Sequence, residues 1–135
     1  MGTLKSVHHI NFIVADLDVA VHAYQEVLGI GPFEYAELPE RGVSTARVQV
    51  GEVWIVLVSP QCEDSVAGRY LEAHGDGFFL MSFGVDNLDQ AMAELAQRGA
   101  LPAGRTAHAG ILDWRVADRE TQDSLGVRFH LTQVD

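Results

Sequence analysis

Two histidines have the side chains best suited to chemistry in this sequence. His9 lies near the start of the chain and His130 near its end. An imidazole titrates close to neutral pH, so it can donate or accept a proton under physiological conditions. Both residues stand in short runs of β-branched and apolar residues that predict strands. A histidine in a strand is often an ordinary buried residue with no catalytic role. Whether His9 and His130 have a catalytic or a structural role depends on the elements that position them.

An internal repeat with a long period relates the two ends of the chain. Residues 9–21 align with residues 80–92 at an offset of 71, and residues 53–57 align with residues 127–131 at an offset of 74. A solenoid needs three or more repeats, so two copies of so long a unit indicate one supersecondary module that occurs twice.

The alignment of the two copies reveals a difference in their polar residues. It places His9 opposite Leu80, and it places Val56 opposite His130. The first copy therefore has its polar group on its first strand, whereas the second copy has it on its last strand. This pattern favours the hypothesis that both histidines face a cavity.

Local residue patterns predict the elements of each copy. Apolar residues at helical spacing, a capping Asp16 and a terminal Gly29 define the first helix. The first copy is predicted to contain a strand over residues 8–14, a helix from Asp16 to about Leu28, and strands over 43–50 and 53–58, with room for a further strand over 33–38. A short helix is predicted over residues 65–74. The second copy is predicted to contain a strand over residues 78–85, a helix over 88–98 that ends at Gly99, a flexible segment over 102–110, and strands over 111–117 and 127–134.

Alternation along the strands sorts their side chains into two sets, because neighbouring residues of a strand point to opposite faces. One set mixes polar and apolar residues, which suits the wall of a cavity; it contains His9, Asn11, Ile13, Trp54, Val56, Val58, Phe78, Leu80, Ser82, Arg128, His130 and Thr132. The other set is almost wholly apolar and is predicted to pack under the two amphipathic helices; it contains Ile10, Phe12, Ile55, Leu57, Phe79, Met81, Phe83, Phe129 and Leu131.

Composition limits the classes of partner and location. The 135 residues are enough for one compact domain with a hydrophobic core. The net charge of −10 argues against a nucleic-acid partner, which requires a basic face. No stretch approaches the ~20 apolar residues of a membrane span, and the N-terminus has no apolar segment typical of a secretory signal. The single cysteine, Cys62, rules out an internal disulfide, and together these features predict a cytoplasmic protein.

Nearly the whole chain resembles the vicinal oxygen chelate superfamily, which includes glyoxalases, bleomycin resistance proteins and dioxygenases. Four segments carry the resemblance: HHINFIVADLDVAVHAYQEVLGIGPF, ELPERGV followed by VGEVWIVLVSP, EDSVAGRYLEAHGDG, and DSLGVRFHL. The third segment is most similar to methylmalonyl-CoA epimerase-like members. The resemblance implies an α+β fold in which two tandem βαβββ modules form a curved mixed sheet around a ligand cleft. It implies one domain with module 1 at about residues 7–60, a connector at 61–77 and module 2 at about 78–135, and it implies a homodimer.

The resemblance also implies a metal site with one ligand from the first and one from the last strand of each module. The corresponding positions are His9, Val56, Leu80 and His130, where family members usually have His, Gln or Glu, His, and Glu. This chain keeps the first ligand, loses two, and has an imidazole in place of the fourth carboxylate. We therefore predict that no cofactor is required, although His9 and His130 could hold a divalent metal ion with water at the remaining positions.

Loss of these ligands changes the expected mechanism. Without a metal, His9 and His130 are predicted to act as general acid and general base, and Arg128 could stabilise a developing oxyanion. Glu40 stands in PERGV, which is similar to an epimerase segment whose glutamate is implicated in proton transfer, so it is a second candidate base. Each of these roles has a structural alternative. Arg128 could be a residue at the rim of the cleft that pairs with a surface carboxylate, and Glu40 could be a solvated loop residue.

Three functions stay open at this point. The first is an isomerase or lyase that works by proton transfer on a small carbonyl compound in an apolar cleft lined by residues such as Trp54, Phe78 and Leu80; the paired histidines favour it. The second is a non-catalytic protein that binds a drug or metabolite, as bleomycin resistance proteins do, and the charge of −10 favours it. The third is a metal-dependent methylmalonyl-CoA epimerase, which the third segment supports and the missing ligands oppose.

Overall fold

A computed structural model describes residues 4–98, 108–109, 115–119 and 129–134, the second and third of these ranges by their backbone. Contacts group the chain into two compact units. The N-terminal unit comprises residues 9–79. The described part of the C-terminal unit comprises residues 4–8 together with those from Leu80 onward. The predicted module boundaries at 60 and 78 stay a prediction.

The described residues contain the order βαβββ twice, which confirms the predicted α+β fold class. The first set consists of β1 (Leu4–Ile13), α1 (Leu17–Leu28), β2 (Glu34–Leu38), β3 (Val43–Val50) and β4 (Val53–Pro60), with a 3-10 turn at Pro39–Arg41. The connecting helix is α2 (Val66–His74). The second set consists of β5 (Gly77–Val85), α3 (Leu88–Gln97), β6 (His108–Ala109), β7 (Arg115–Arg119) and β8 (Phe129–Gln133).

In the N-terminal unit, the strands follow the order β2-β3-β4-β1, in which β1 runs parallel to β4 and the other pairs are antiparallel. Helix α1 begins where the Asp16 side chain accepts a hydrogen bond from the backbone N–H of Val19, and it ends at Gly29, whose φ of 67° suits glycine. The helix packs on one face of the sheet. The core there contains Phe12, Val14, Leu17, Ala20, Val21, Tyr24, Ile30, Phe33, Ala46, Val48, Ile55 and Leu57.

In the C-terminal unit, β5 is parallel to β8, and β8, β7 and β6 pair antiparallel in that order. Helix α3 begins at Asn87, whose side chain accepts from the backbone N–H of Gln90. The core beneath it contains Met81, Phe83, Val85, Leu88, Ala91, Met92, Leu95, Phe129 and Leu131. A Cβ on Gly84 would meet the Ser6 hydroxyl, so the Ser6 side chain would have to shift to accommodate any larger residue there.

The two cores confirm that seven of the nine residues in the predicted apolar set pack with the helices; Ile10 and Phe79 belong to neither core. The predicted short helix is also confirmed, with Ser65 as its N-cap residue. The predicted strand over 111–117 is observed as β7 at Arg115–Arg119; residues 111–114 lie outside the described part, as do Gly99 and Arg128. None of the helices in the described residues is both long and apolar enough to cross a membrane.

Candidate functional site

The face of the N-terminal sheet opposite α1 carries a row of three polar or charged side chains and one valine. Asn11 pairs with Val56 on the neighbouring strand, Val56 pairs with Arg47, and Arg47 pairs with Glu34. Residues that pair directly across strands point to the same face and have Cβ atoms ~5 Å apart. The four side chains therefore form one continuous row across β1, β4, β3 and β2.

His9 lies in the adjacent row of the same face. It pairs with Trp54, which pairs with Gln49. His9 is 2% exposed and Asn11 is 8% exposed. The register therefore groups His9, Asn11, Trp54 and Val56 on one face, as alternation along the strands predicts. Their roles in binding or catalysis stay predictions.

Arg47 is a buried charge on this face that sequence reasoning missed. The residue is 9% exposed, its guanidinium lies 4.2 Å from the centroid of the Trp54 ring, and its Nε lies 3.5 Å from Oε1 of Glu34. A signal for its position was present in the sequence. The two-residue turn at Gly51 and Glu52 pairs Val50 with Val53, and that hairpin register places Arg47 opposite Val56.

Asn11 contributes a buried polar atom next to Val56. Its Oδ1 has no hydrogen-bond partner among the described residues. A buried polar atom without a partner costs about 1–3 kcal/mol, so native proteins seldom keep one without a reason. A polar hydrogen of a bound molecule would satisfy it.

The corresponding face of the C-terminal unit has a different character. Ser82 pairs with His130 across β5 and β8, and Gly84 pairs with Thr132. His130 is 5% exposed, and the hydroxyls of Ser82 and Thr132 lie 2.6 Å apart in a hydrogen bond between two fully buried side chains. Leu80 is also buried. This face therefore presents a histidine beside two hydroxyls that are hydrogen-bonded to each other.

Three of the predicted site residues lie apart from these two groups or outside the described part. Phe78 is exposed, and its ring makes a T-shaped contact with Phe12, a member of the core beneath α1. Glu40 is exposed in the 3-10 turn that joins β2 to β3. Arg128 lies outside the described residues. The proposed contributions of all three residues stay predictions.

The donor set does not fit the metal site that the family resemblance implies. Val56 and Leu80 occupy two of the four ligand positions as buried aliphatic side chains with no donor atoms. Among the described residues, no group of three or more His, Cys, Asp or Glu side chains is placed to hold a metal ion. Catalytic zinc sites typically have three protein ligands, whereas these four positions supply two imidazoles.

Comparisons with known proteins identify a family and several related epimerases. Residues 8–117 match the sequence model of the Glyoxalase/Bleomycin resistance protein/Dioxygenase superfamily. The chain is similar to human mitochondrial methylmalonyl-CoA epimerase, with 31% identity over 96 residues that cover 70% of this chain and 54% of the human protein. This chain thus spans about half the length of that relative.

Solved structures of epimerases share the fold. The crystal structure of methylmalonyl-CoA epimerase from Mycobacterium tuberculosis superposes with a TM-score of 0.91 at 26% identity, covering 100% of this chain and 91% of that one. A methylmalonyl-CoA epimerase in complex with methylmalonyl-CoA and NH4+ superposes with a TM-score of 0.90 at 26% identity, covering 96% of this chain and 94% of that one.

Proposed function

Because this chain belongs to the Glyoxalase/Bleomycin resistance protein/Dioxygenase superfamily, we propose that it is an epimerase-like isomerase that moves a proton at the carbon next to a carbonyl group. The observation that carries the proposal is the burial of His9 and His130, each on the face of its sheet that turns away from the helix core. Histidine is intermediate between apolar and charged residues in how often it is buried, so two buried histidines on these faces support a functional role. Their imidazoles are of the type that most often acts as general acid or general base.

The chemistry needs a base and an acid, and His9 and His130 are the candidates for these roles. A neutral imidazole can remove the proton from the carbon next to the carbonyl, and the electron pair moves onto the carbonyl oxygen as an enolate. A protonated imidazole can return a proton to that carbon, and return to the opposite face of the carbon inverts the stereocentre. Glu40 is a second candidate base for the first step.

The epimerases that share this fold support an acyl-CoA thioester as the substrate. One of their structures holds methylmalonyl-CoA. In that compound, one carbon lies between the carboxylate and the thioester carbonyl. The thioester makes the hydrogen on this carbon more acidic, so a histidine base can remove it more easily. We take methylmalonyl-CoA as the first compound to test.

Proton exchange at that carbon tests the proposal directly. Methylmalonyl-CoA is incubated in D2O with EDTA-treated protein, and deuterium incorporation is followed by NMR. We expect His9→Gln and His130→Gln each to lower the exchange rate by ~10²–10⁴-fold, which is typical for loss of an acid or base. His22→Gln is the matched control, because His22 is an exposed residue of α1. Exchange no faster than in buffer, or unaffected by both variants, would contradict the proposal.

Two other functions are distinguished in the same assay. The net charge of −10 supports a non-catalytic binder of cationic or aromatic compounds. Calorimetry would show that such a protein binds a compound of that kind, and the protein would catalyse no exchange. A metal-dependent epimerase would exchange the proton only after Co²⁺ or Mn²⁺ is restored.

We further propose that the protein forms a homodimer, which light scattering tests. We also propose that it lies in the cytoplasm, which fractionation of the source cells tests.

A further inference from the structure

Asn11 holds a buried amide oxygen that the fold leaves unmatched on the face of the N-terminal sheet opposite α1. The residue is 8% exposed, and its Oδ1 has no hydrogen-bond partner within the described ranges. Its direct neighbour on β4 is Val56, a fully buried side chain with no polar atom. The free protein therefore carries the cost of an unmet acceptor, and a ligand with a polar hydrogen would remove that cost.

Two other buried polar side chains of the same unit are satisfied within the fold. The Thr45 hydroxyl donates to the carbonyl of Ala36 at 3.1 Å, and the Ser59 hydroxyl donates to the carbonyl of Ala15 at 3.1 Å. Both residues are buried at least as deeply as Asn11. Burial on these strands is thus compatible with a complete set of hydrogen bonds, so the unmet oxygen of Asn11 calls for an explanation of its own.

The position of Asn11 relates this oxygen to the candidate chemistry at His9. Residues two apart on a strand point to the same face and lie ~7 Å apart along it, so one small molecule can contact both side chains. A carbonyl oxygen accepts hydrogen bonds and donates none, so its ligand has to offer an O–H or N–H group. The Arg47 guanidinium, which follows Val56 in the same row, disfavours a cationic donor. A neutral donor is left, and a hydroxyl is the smallest one.

A rotation within the side chain is enough to bring the oxygen to a ligand. Oδ1 is itself buried, so the remaining exposure of Asn11 belongs to its other atoms. The torsion that orients an asparagine amide is broad, unlike the torsions between tetrahedral carbons. The amide can therefore turn its oxygen toward the exposed side without any movement of β1.

We propose that Asn11 is a specificity-determining residue whose Oδ1 accepts a hydrogen bond from a hydroxyl of the substrate. The substrate class is a hydroxyacyl compound with its hydroxyl on the carbon next to the one that exchanges its proton. The inference rests on the proposed function, since it names a group of the substrate on which His9 acts. An ionised carboxylate offers acceptors only, so methylmalonyl-CoA would leave the Asn11 oxygen unmet.

Two thioesters that differ by one hydroxyl test the proposal. Calorimetry measures the affinities of 3-hydroxypropionyl-CoA and propionyl-CoA for the wild-type protein, Asn11→Val and Asn11→Ala. We expect the wild type to bind the hydroxy compound on the order of ten-fold more tightly, and we expect both variants to bring the two affinities within about two-fold of each other. The affinity of propionyl-CoA should change little. Ser59→Ala is the matched control, because it removes a buried hydroxyl that already has a partner, and it should keep the preference.

Unfolding by urea without ligand gives a second readout. Asn11→Val should raise the urea midpoint, because it removes an unmet polar atom from a buried strand. Ser59→Ala should lower the midpoint, because it leaves the carbonyl of Ala15 without its donor. If one of the two Asn11 variants does not fold, the other decides the binding comparison.

Four results would overturn the proposal. They are a wild-type protein without a preference, a preference that both Asn11 variants keep, equal losses of affinity for the two thioesters, and urea midpoints that fall in both Asn11 variants. The last result would mean that the oxygen already has a partner in the free protein.

Binding and exchange fail separately. A hydroxyl preference that depends on Asn11 without any deuterium exchange would support the hydroxyl site and contradict the proposed isomerase. Exchange that depends on the histidines, without a hydroxyl preference, would do the reverse.

Discussion

The two units of this protein are alike on their helix sides and different on their opposite faces. On the helix side, Asp16 and Asn87 stand at the repeat offset of 71, and each caps its helix with a hydrogen bond, of 3.1 and 2.9 Å respectively. Leu57 and Leu131 stand at the offset of 74, and both are fully buried under a helix. Helix packing and capping therefore constrain both copies in the same way.

The opposite faces have diverged in charge. The N-terminal unit buries a guanidinium stacked on Trp54, whereas the C-terminal unit buries the neutral hydroxyl pair of Ser82 and Thr132. Asn11 aligns with Ser82 in the repeat, so one position holds a polar atom without a partner among the described residues and the other holds a satisfied one. The two copies therefore share one scaffold, whereas the face opposite the helix has its own chemistry in each copy.

Truncation of the equivalent core leucines tests whether the helix sides are equally important. We expect Leu57→Ala and Leu131→Ala each to lower the free energy of unfolding by about 2–5 kcal/mol, because each removes buried methyl groups and leaves a cavity. Urea unfolding followed by circular dichroism measures the change. Val27→Ala, at a residue that is 79% exposed on α1, should stay within about 0.5 kcal/mol. A much smaller cost for one leucine would break the equivalence.

Removal of the buried hydroxyls tests the neutral character of the C-terminal face. We expect Ser82→Ala or Thr132→Val alone to cost about 1–3 kcal/mol, because each leaves one buried hydroxyl without its partner. The double variant should cost less than the sum of the two, since it removes both polar groups. A double-mutant cycle from urea unfolding measures this coupling. Additive costs would mean that the 2.6 Å contact contributes no coupling.

Replacement of the two cap residues compares the helices of the two copies, with a smaller expected loss of stability. Asp16→Ala and Asn87→Ala should each lower the free energy of unfolding by about 1 kcal/mol, because each leaves a backbone N–H of the first helical turn without its acceptor. Asp16→Asn and Asn87→Asp keep an acceptor and serve as controls. Unequal losses in the alanine variants would indicate that one helix depends on its cap more than the other.

The smallest effect is expected for Tyr24, a tyrosine that occurs in only one copy and makes stability depend on pH. Burial, followed by the nearby Asp76 carboxylate, raises the pKa of Tyr24 above its ordinary value of 10.0, and the repeat places Leu95 at the equivalent position. Because the folded-state pKa is the higher one, this contribution to stability is fully present below pH ~10 and is lost as the pH rises through the folded-state pKa. Urea unfolding at pH 9 and pH 11 should show a smaller loss for Tyr24→Phe than for the wild type. Identical losses would contradict the assignment.

The sequence by itself determined the elements and the helix-facing sets of residues. The apolar period of α1, its Asp16 cap and its Gly29 terminus are local features, since each depends on residues within a few positions of one another. The alternation of β4 and β8 likewise predicted which side chains enter the cores, because neighbours in a strand always point to opposite faces. The repeat extended these local rules from one copy to the other.

The tertiary structure alone decided how polar groups on the opposite faces are satisfied. The hairpin turn set Arg47 opposite Val56, but its burial and its stacking on Trp54 depend on side-chain packing across three strands. The contact of Ser82 with Thr132 needs the parallel register of β5 and β8, which are 50 residues apart at this point. The ring of Phe78 contacts Phe12 although alternation placed it with Leu80. Local patterns specify which face a residue belongs to, whereas partners across distant strands are chosen by register and packing.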